Sequence, residues 1–88
     1  MQSEIDQFIL YLATERGLSE NYQLSTRATL ERFAKWAGDQ GPAENWKAVE
    51  LEHLAEYLGE ERKRGLTAAS VRLQVIALKI FFRFLQAR

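Results

Sequence analysis

Apolar residues recur along this chain at intervals of three and four, the period of helices with one buried face, and they nowhere alternate as strands require. Ile5, Phe8, Ile9, Leu12 and Arg16 share one face of a first helix, expected to begin after Ser3 as its cap and to stop at Gly17. Leu10 and Tyr11 point elsewhere, toward another module. Leu18-Ser19-Glu20-Asn21 announces a second helix, with Ser19 as the cap, running to about Ala37. Its core stripe is Tyr22, Thr26, Leu30, Phe33 and Ala37, widened by Trp36, and Gly38 followed by Gly41-Pro42 ends it. Gly38 to Lys47 reads as a loop. Trp46 within it is too large and apolar to lie free in water, so it is expected to cover the bottom of the core.

A third helix is predicted from Glu50 to Arg64, burying Leu51, Leu54, Ala55 and Leu58, with Arg62, Lys63 and Arg64 at the negative end of its dipole and Gly65 as the stop. Thr67 caps a fourth, from Ala68 to at least Ala87, roughly 30 Å long. It carries two apolar stripes: Val71, Val75, Leu78, Phe82 and Leu85, and on the far side Leu73, Ala77, Ile80 and Phe84. A helix apolar on two sides is normally covered on both. It is therefore either the central helix of a bundle or one that awaits a partner.

Composition narrows the class. With 88 residues, 47% of them hydrophobic, the chain supports one core and one domain, residues 1–88. No cysteine is present, which removes thiol catalysis and Cys-based metal sites and suits a reducing cytoplasm. Twelve basic against twelve acidic residues give zero net charge, so any charge-driven partner must meet a local patch. No apolar run is long enough for a bilayer, and Met1-Gln2-Ser3-Glu4 lacks the start of a signal peptide. A cytoplasmic domain with no membrane partner is the expectation.

Catalysis is poorly supplied. The single histidine, His53, reads as a solvated residue beside Glu50, Glu52 and Glu56, and no metal or cofactor site is expected. Glu60 and Glu61 read as exposed, with Glu60 and Arg64 a favourable i,i+4 pair. Ser19, Ser25 and Ser70 have no histidine partner at a useful spacing, and no phosphate-binding glycine loop or small-molecule site is indicated. What remains is basic residues on helix faces. Arg72, Lys79, Arg83 and Gln86 form a ribbon on the fourth helix, while Ser25, Arg32 and Lys35 lie together on the second. Pattern alone reads these first as ordinary solvated faces, with a phosphate-binding edge as the alternative.

Longer motifs add a resemblance. Gly17-Leu18-Ser19-Glu20-Asn21, then Arg27, Leu30, Arg32-Phe33 and Trp36, resembles the second helix of the N-terminal core-binding domain of Xer-type tyrosine recombinases and phage integrases. Gly65-Leu66-Thr67-Ala68-Ala69-Ser70-Val71-Arg72-Leu73, followed by Ala77-Leu78-Lys79-Ile80-Phe81-Phe82-Arg83-Phe84-Leu85, resembles that domain's last helix, and Trp46, Val49, Leu54 and Tyr57-Leu58 fall at its turn and third helix.

The resemblance implies an all-α fold, a four-helix SAM-like orthogonal bundle, that clamps duplex DNA through its second and fourth helices. It implies that cleavage chemistry resides in a separate C-terminal catalytic domain, so this domain is no enzyme by itself and Tyr11, Tyr22 and Tyr57 are not nucleophiles. Partners implied are double-stranded DNA, the chain's own catalytic domain and other protomers of a tetramer. DNA contacts carried over are Ser25 and Ser70 as hydroxyl donors and Arg27, Arg32, Lys35, Arg72 and Lys79 as cations. Ala28, Ala69 and Leu73 stand where many relatives have arginine. For Lys79 and Arg83 an equal alternative is pairing with acidic side chains on a neighbouring helix. The rival reading is a protein-interaction module that docks a partner through Leu10, Tyr11, Leu73, Ile80 and Phe84.

Overall fold

The computed structural model describes residues 2–39 and 45–87, which form four α-helices and one short 3-10 turn. The helices are α1 (Gln2–Thr14), α2 (Glu20–Asp39), α3 (Leu51–Lys63) and α4 (Ala68–Ala87), with the turn at Trp46–Ala48. The all-α bundle matches the sequence expectation. Both α2 and α4 touch every other helix, whereas α1 and α3 flank them without touching each other. α4 is thus one of two central helices, which explains why it is apolar on two sides.

Local chemistry sets most boundaries. Ser19 Oγ accepts the Tyr22 amide at 3.2 Å, and Thr67 Oγ1 accepts the Ser70 amide at 3.1 Å, so both capping residues work as read from sequence. Ser3, by contrast, lies inside α1, which already starts at Gln2. α1 also ends earlier than Gly17; its last turn closes when the Leu18 amide reaches back to Leu12 O across Gly17, whose φ is +60°. Gly65, at φ +101°, performs the same reversal after α3, with the Leu66 amide bonded to Glu61 O. α2 runs through Gly38 to Asp39, and the expected stop at Gly41-Pro42 lies outside the described residues. Within the expected loop, Asn45 Oδ1 caps the 3-10 turn by accepting the Ala48 amide.

The core is aromatic. Phe8, Phe33 and Phe81, one from each of α1, α2 and α4, are fully buried with Ile5, Leu12 and Leu30. Trp46 is driven onto them from the 3-10 turn, its ring 4.6 Å from Phe81 and 6.0 Å from Phe33 between centroids, as its size and polarity require.

Several expected core positions are corrected. Tyr22, in the first turn of α2, is 38% exposed, and Arg16, which lies beyond the end of α1 at Thr14, is exposed. Leu51 is 82% exposed and Ala55 is exposed; α3 is rotated so that Tyr57 and Glu61 occupy its buried line, with Leu54 and Leu58 at its edge. Tyr11 is half-buried, its ring 5.1 Å from Phe84, so it belongs to the core margin. On α4 the most buried line is Gln74, Ala77, Leu78 and Phe81, which runs between the two apolar stripes.

Candidate nucleic-acid interface

Helix geometry decides which cations are available. On α2 the buried residues Thr26, Leu30, Phe33 and Ala37 fix the inner side, so Ser25, Ala28, Arg32 and Lys35 fall on the outer one, and all four are exposed. Arg27 lies about 140° around the helix from Arg32. It faces α1, where its Nη1 donates to Asp6 Oδ1 at 2.7 Å and to Glu31 Oε2 at 3.5 Å. Hydrogen bonds from Arg27 and then Gln2 hold the Asp6 carboxyl below its ordinary range, and the Asp6 bond holds the Arg27 guanidinium above its own. Arg27 is therefore a strut between α1 and α2, separate from the Ser25, Arg32 and Lys35 face.

Arg32 has a second duty. Its Nη1 donates to Glu61 Oε1 at 3.3 Å, while half of the guanidinium side chain stays in solvent. Glu61, expected on the surface, is only 3% exposed and is the organising acid of the α2–α3 contact. Arg64 Nε donates to its Oε2 at 2.7 Å and the Tyr57 hydroxyl to its Oε1 at 2.8 Å. Burial raises the Glu61 pKa, but the bonds from Arg64, Tyr57 and Arg32 outweigh it, and the net position lies below the ordinary carboxylate value. Burial and the adjacent Glu61 carboxylate push the Tyr57 phenol well up. Arg64 thus turns to Glu61 at i−3, in place of the expected pairing with Glu60. Glu60 instead accepts the Trp36 indole N–H at 2.7 Å. Sequence reading missed Glu61, although its i,i+4 spacing from Tyr57 would have placed it on the inner line once the tyrosine was recognised as buried.

α4 presents the other cationic surface. Opposite Gln74 and Phe81, the outward side carries Arg72, Lys79 and Arg83, with Ile76 among them. All three cations are exposed and none has an acidic partner among the described residues, which removes the alternative that Lys79 and Arg83 are tied to a neighbouring helix. Ser70 is not part of this ridge. It lies about 160° away from Arg72, half-buried on the inward side, where its Oγ accepts from Thr67 Oγ1 at 3.2 Å. The structure therefore joins Arg72 with Lys79 and Arg83, and Ser25 with Arg32 and Lys35, and sets Arg27 and Ser70 apart.

Other candidate chemistry is thin. Glu50, Glu52 and His53 bring potential ligand atoms within 4.8 Å of one another on the exposed first turn of α3. However, His53 is half-buried and its Nδ1 accepts the Glu50 amide at 3.0 Å, so its role is to close the helix start. No helix among the described residues is long and apolar enough to cross a membrane.

With this geometry in place, comparison with known proteins is decisive for the family. A family model described as the phage integrase N-terminal SAM-like domain matches residues 5–88. The chain belongs to that family. Tyrosine recombinase XerC of Escherichia coli O157:H7 is 29% identical over 85 residues, covering 97% of this chain and 28% of the relative. XerC of Herpetosiphon aurantiacus is 27% identical over 88 residues, covering all of this chain and 28% of the relative. This SAM-like domain thus spans a little over a quarter of the length of these curated relatives. No solved structure gives a significant match.

Proposed function

We propose that this SAM-like domain binds duplex DNA as the non-catalytic half of a site-specific tyrosine recombinase, gripping one side of the helix while a catalytic portion of the recombinase cuts and rejoins strands. The observation that carries the reading is the outward ridge of Arg72, Lys79 and Arg83, which has no acidic partner among the described residues, in a chain of this family. Lys35, and Arg32 through the exposed half of its guanidinium, extend the cationic surface on α2. Each cation neutralises one phosphate and releases the counterion held there. Ser25, exposed on the same side as Lys35, supplies a hydroxyl donor. Arg27 and Ser70 contribute indirectly, Arg27 by bracing α2 against α1 and Ser70 by its place in the α4 cap. Tyr57 is read as structural, since it is buried and its hydroxyl donates to Glu61. Partners then comprise duplex DNA, the catalytic portion of the recombinase and neighbouring protomers, with exposed Leu10 and Leu73 as apolar contacts to protein.

The test is fluorescence anisotropy of a labelled mixed-sequence duplex titrated with the chain at several salt concentrations. Zero net charge predicts weak binding. About four phosphate contacts give a slope of log affinity against log salt near −4, or about a hundredfold loss between 50 and 200 mM salt. Replacing Arg72, Lys79 and Arg83 together by alanine should flatten that slope by about three. Affinity that ignores salt, or that survives the triple replacement, removes the proposal.

A further inference from the structure

Ile76 stands where an ordinary solvated face would carry a polar side chain. It is 44% exposed on the outward side of α4, away from the line of Gln74, Ala77, Leu78 and Phe81 that packs into the bundle. Ala69, Arg72, Ile76, Lys79 and Arg83 follow one another at intervals of three, four, three and four residues, so they share one line along the helix, and all five are exposed. Ile76 is at the middle of that line, about 6 Å along the axis from Arg72 and about 4.5 Å from Lys79. None of the three cations has an acidic partner among the described residues. Whatever surface the cations meet, Ile76 therefore meets as well.

An α-helix about 10–12 Å across fits the major groove of B-DNA, which is about 12 Å wide and walled by phosphates on both sides. Arginine and lysine are long enough to reach those walls, whereas a shorter isoleucine in the middle of the same line faces the base edges between them. Isoleucine neither donates nor accepts a hydrogen bond. Against the polar edge of guanine, cytosine or adenine it strips water and returns nothing. The apolar group that bases present in this groove is the C5-methyl of thymine. On the basis of the duplex-binding reading, we propose that Ile76 packs on thymine methyl groups and makes the α4 ridge selective for sequence rich in A·T pairs. The selectivity is separate from the phosphate grip, since Arg72, Lys79 and Arg83 neutralise phosphates of any sequence. One methyl buried against Ile76 is worth about a fourfold gain in affinity, the value for removing one such carbon from water.

Anisotropy titrations at low salt with two duplexes of alternating A·T pairs, one built with thymine and one with deoxyuridine throughout, isolate the methyl group, because charge, length and hydrogen-bonding edges are the same. The chain should bind the thymine duplex about fourfold more tightly. A G·C duplex should gain a similar factor when its cytosines are replaced by 5-methylcytosine, which puts a methyl at the same place in the groove. Ile76→Ala, which keeps a strong helix former at a part-exposed position, should bring the thymine-to-deoxyuridine ratio to about one. Leu51→Ala, which removes a more exposed leucine from α3, should leave the ratio at about four. Arg72→Ala should weaken binding to both duplexes alike and also keep the ratio. Equal affinity for the two A·T duplexes with the salt dependence intact would overturn the assignment to Ile76 and leave the duplex-binding reading standing. A ratio that survives Ile76→Ala would place the preference in DNA shape and overturn it too, as would a G·C duplex indifferent to cytosine methylation. Absence of salt-dependent binding to every duplex would remove both readings.

Discussion

Removing the Glu61 carboxylate is the sharpest test of how this fold holds α2 against α3. In Glu61→Ala, the Tyr57 hydroxyl loses its acceptor while remaining buried, which costs about 1–3 kcal/mol. Arg32 and Arg64 lose their anion too, but both guanidinium side chains are more than half exposed and regain water, so each adds no more than about 0.5 kcal/mol. The sum is about 1–4 kcal/mol, or roughly 5–25 °C in melting temperature for a domain of this size. Glu61→Gln keeps an acceptor for Tyr57 and removes only the charge, so about 1 kcal/mol is expected. Thermal and urea unfolding followed by circular dichroism at neutral pH would separate the two. The pH dependence has a fixed sign. Because folding lowers the Glu61 pKa, its contribution is present in full above the unfolded carboxylate value of about 4.3 and is lost as pH falls through the folded one. Wild type should therefore lose stability more steeply than Glu61→Gln below about pH 4.5. If Glu61→Ala unfolds within about 0.5 kcal/mol of wild type, or if the Gln variant keeps the full acid slope, the network does not support the fold as argued.

Three further substitutions read the backbone and the core. Gln74 is buried on α4 and its Oε1 has no hydrogen-bond partner, so Gln74→Leu, which preserves volume and removes the unpaired acceptor, should raise stability by about 1 kcal/mol in a urea titration. A loss of that size would mean that the acceptor is satisfied by water. Gly65→Ala and Gly38→Ala should move melting temperature in opposite directions. Gly65 sits at φ +101° where a side chain is strained, costing about 1 kcal/mol or more, whereas Gly38 lies inside α2 with open space around its Cα and gains about 0.5 kcal/mol.

Features decided within a few residues were legible in the sequence. The Ser19 and Thr67 caps, the reversal at Gly65 and the extent of α4 follow from contacts between near neighbours, so a single chain discloses them. The failures share a different cause. Leucine at 51 and alanine at 55 look like a buried stripe, yet α3 turns Tyr57 and Glu61 inward because Arg32, 29 residues earlier, and Arg64 supply the positive charge that lets a carboxylate be buried there. No local rule weighs a hydrophobic stripe against an ion pair brought in by another helix. Gln74 poses the same problem in reverse, a polar residue on the most buried line of α4 that apolar counting passes over.

The same division explains which cations remain available for a partner. Arg27 and Arg32 stand at helix contacts, α1 with α2 and α2 with α3, and each is drawn to a carboxylate across the contact. Arg72, Lys79 and Arg83 occupy the one side of α4 that no other helix covers, and the acidic residues that would balance them lie on the outer face of α3 as Glu52 and Glu56. Zero net charge therefore conceals a separation of charge over the surface. The cationic side of that separation is what a phosphate backbone would recognise. Added salt should weaken duplex binding, and replacing Glu52 and Glu56 by lysine should strengthen it in the same anisotropy titration, because two carboxylates that repel the phosphates are exchanged for cations; unchanged affinity would mean that the duplex does not come near that face.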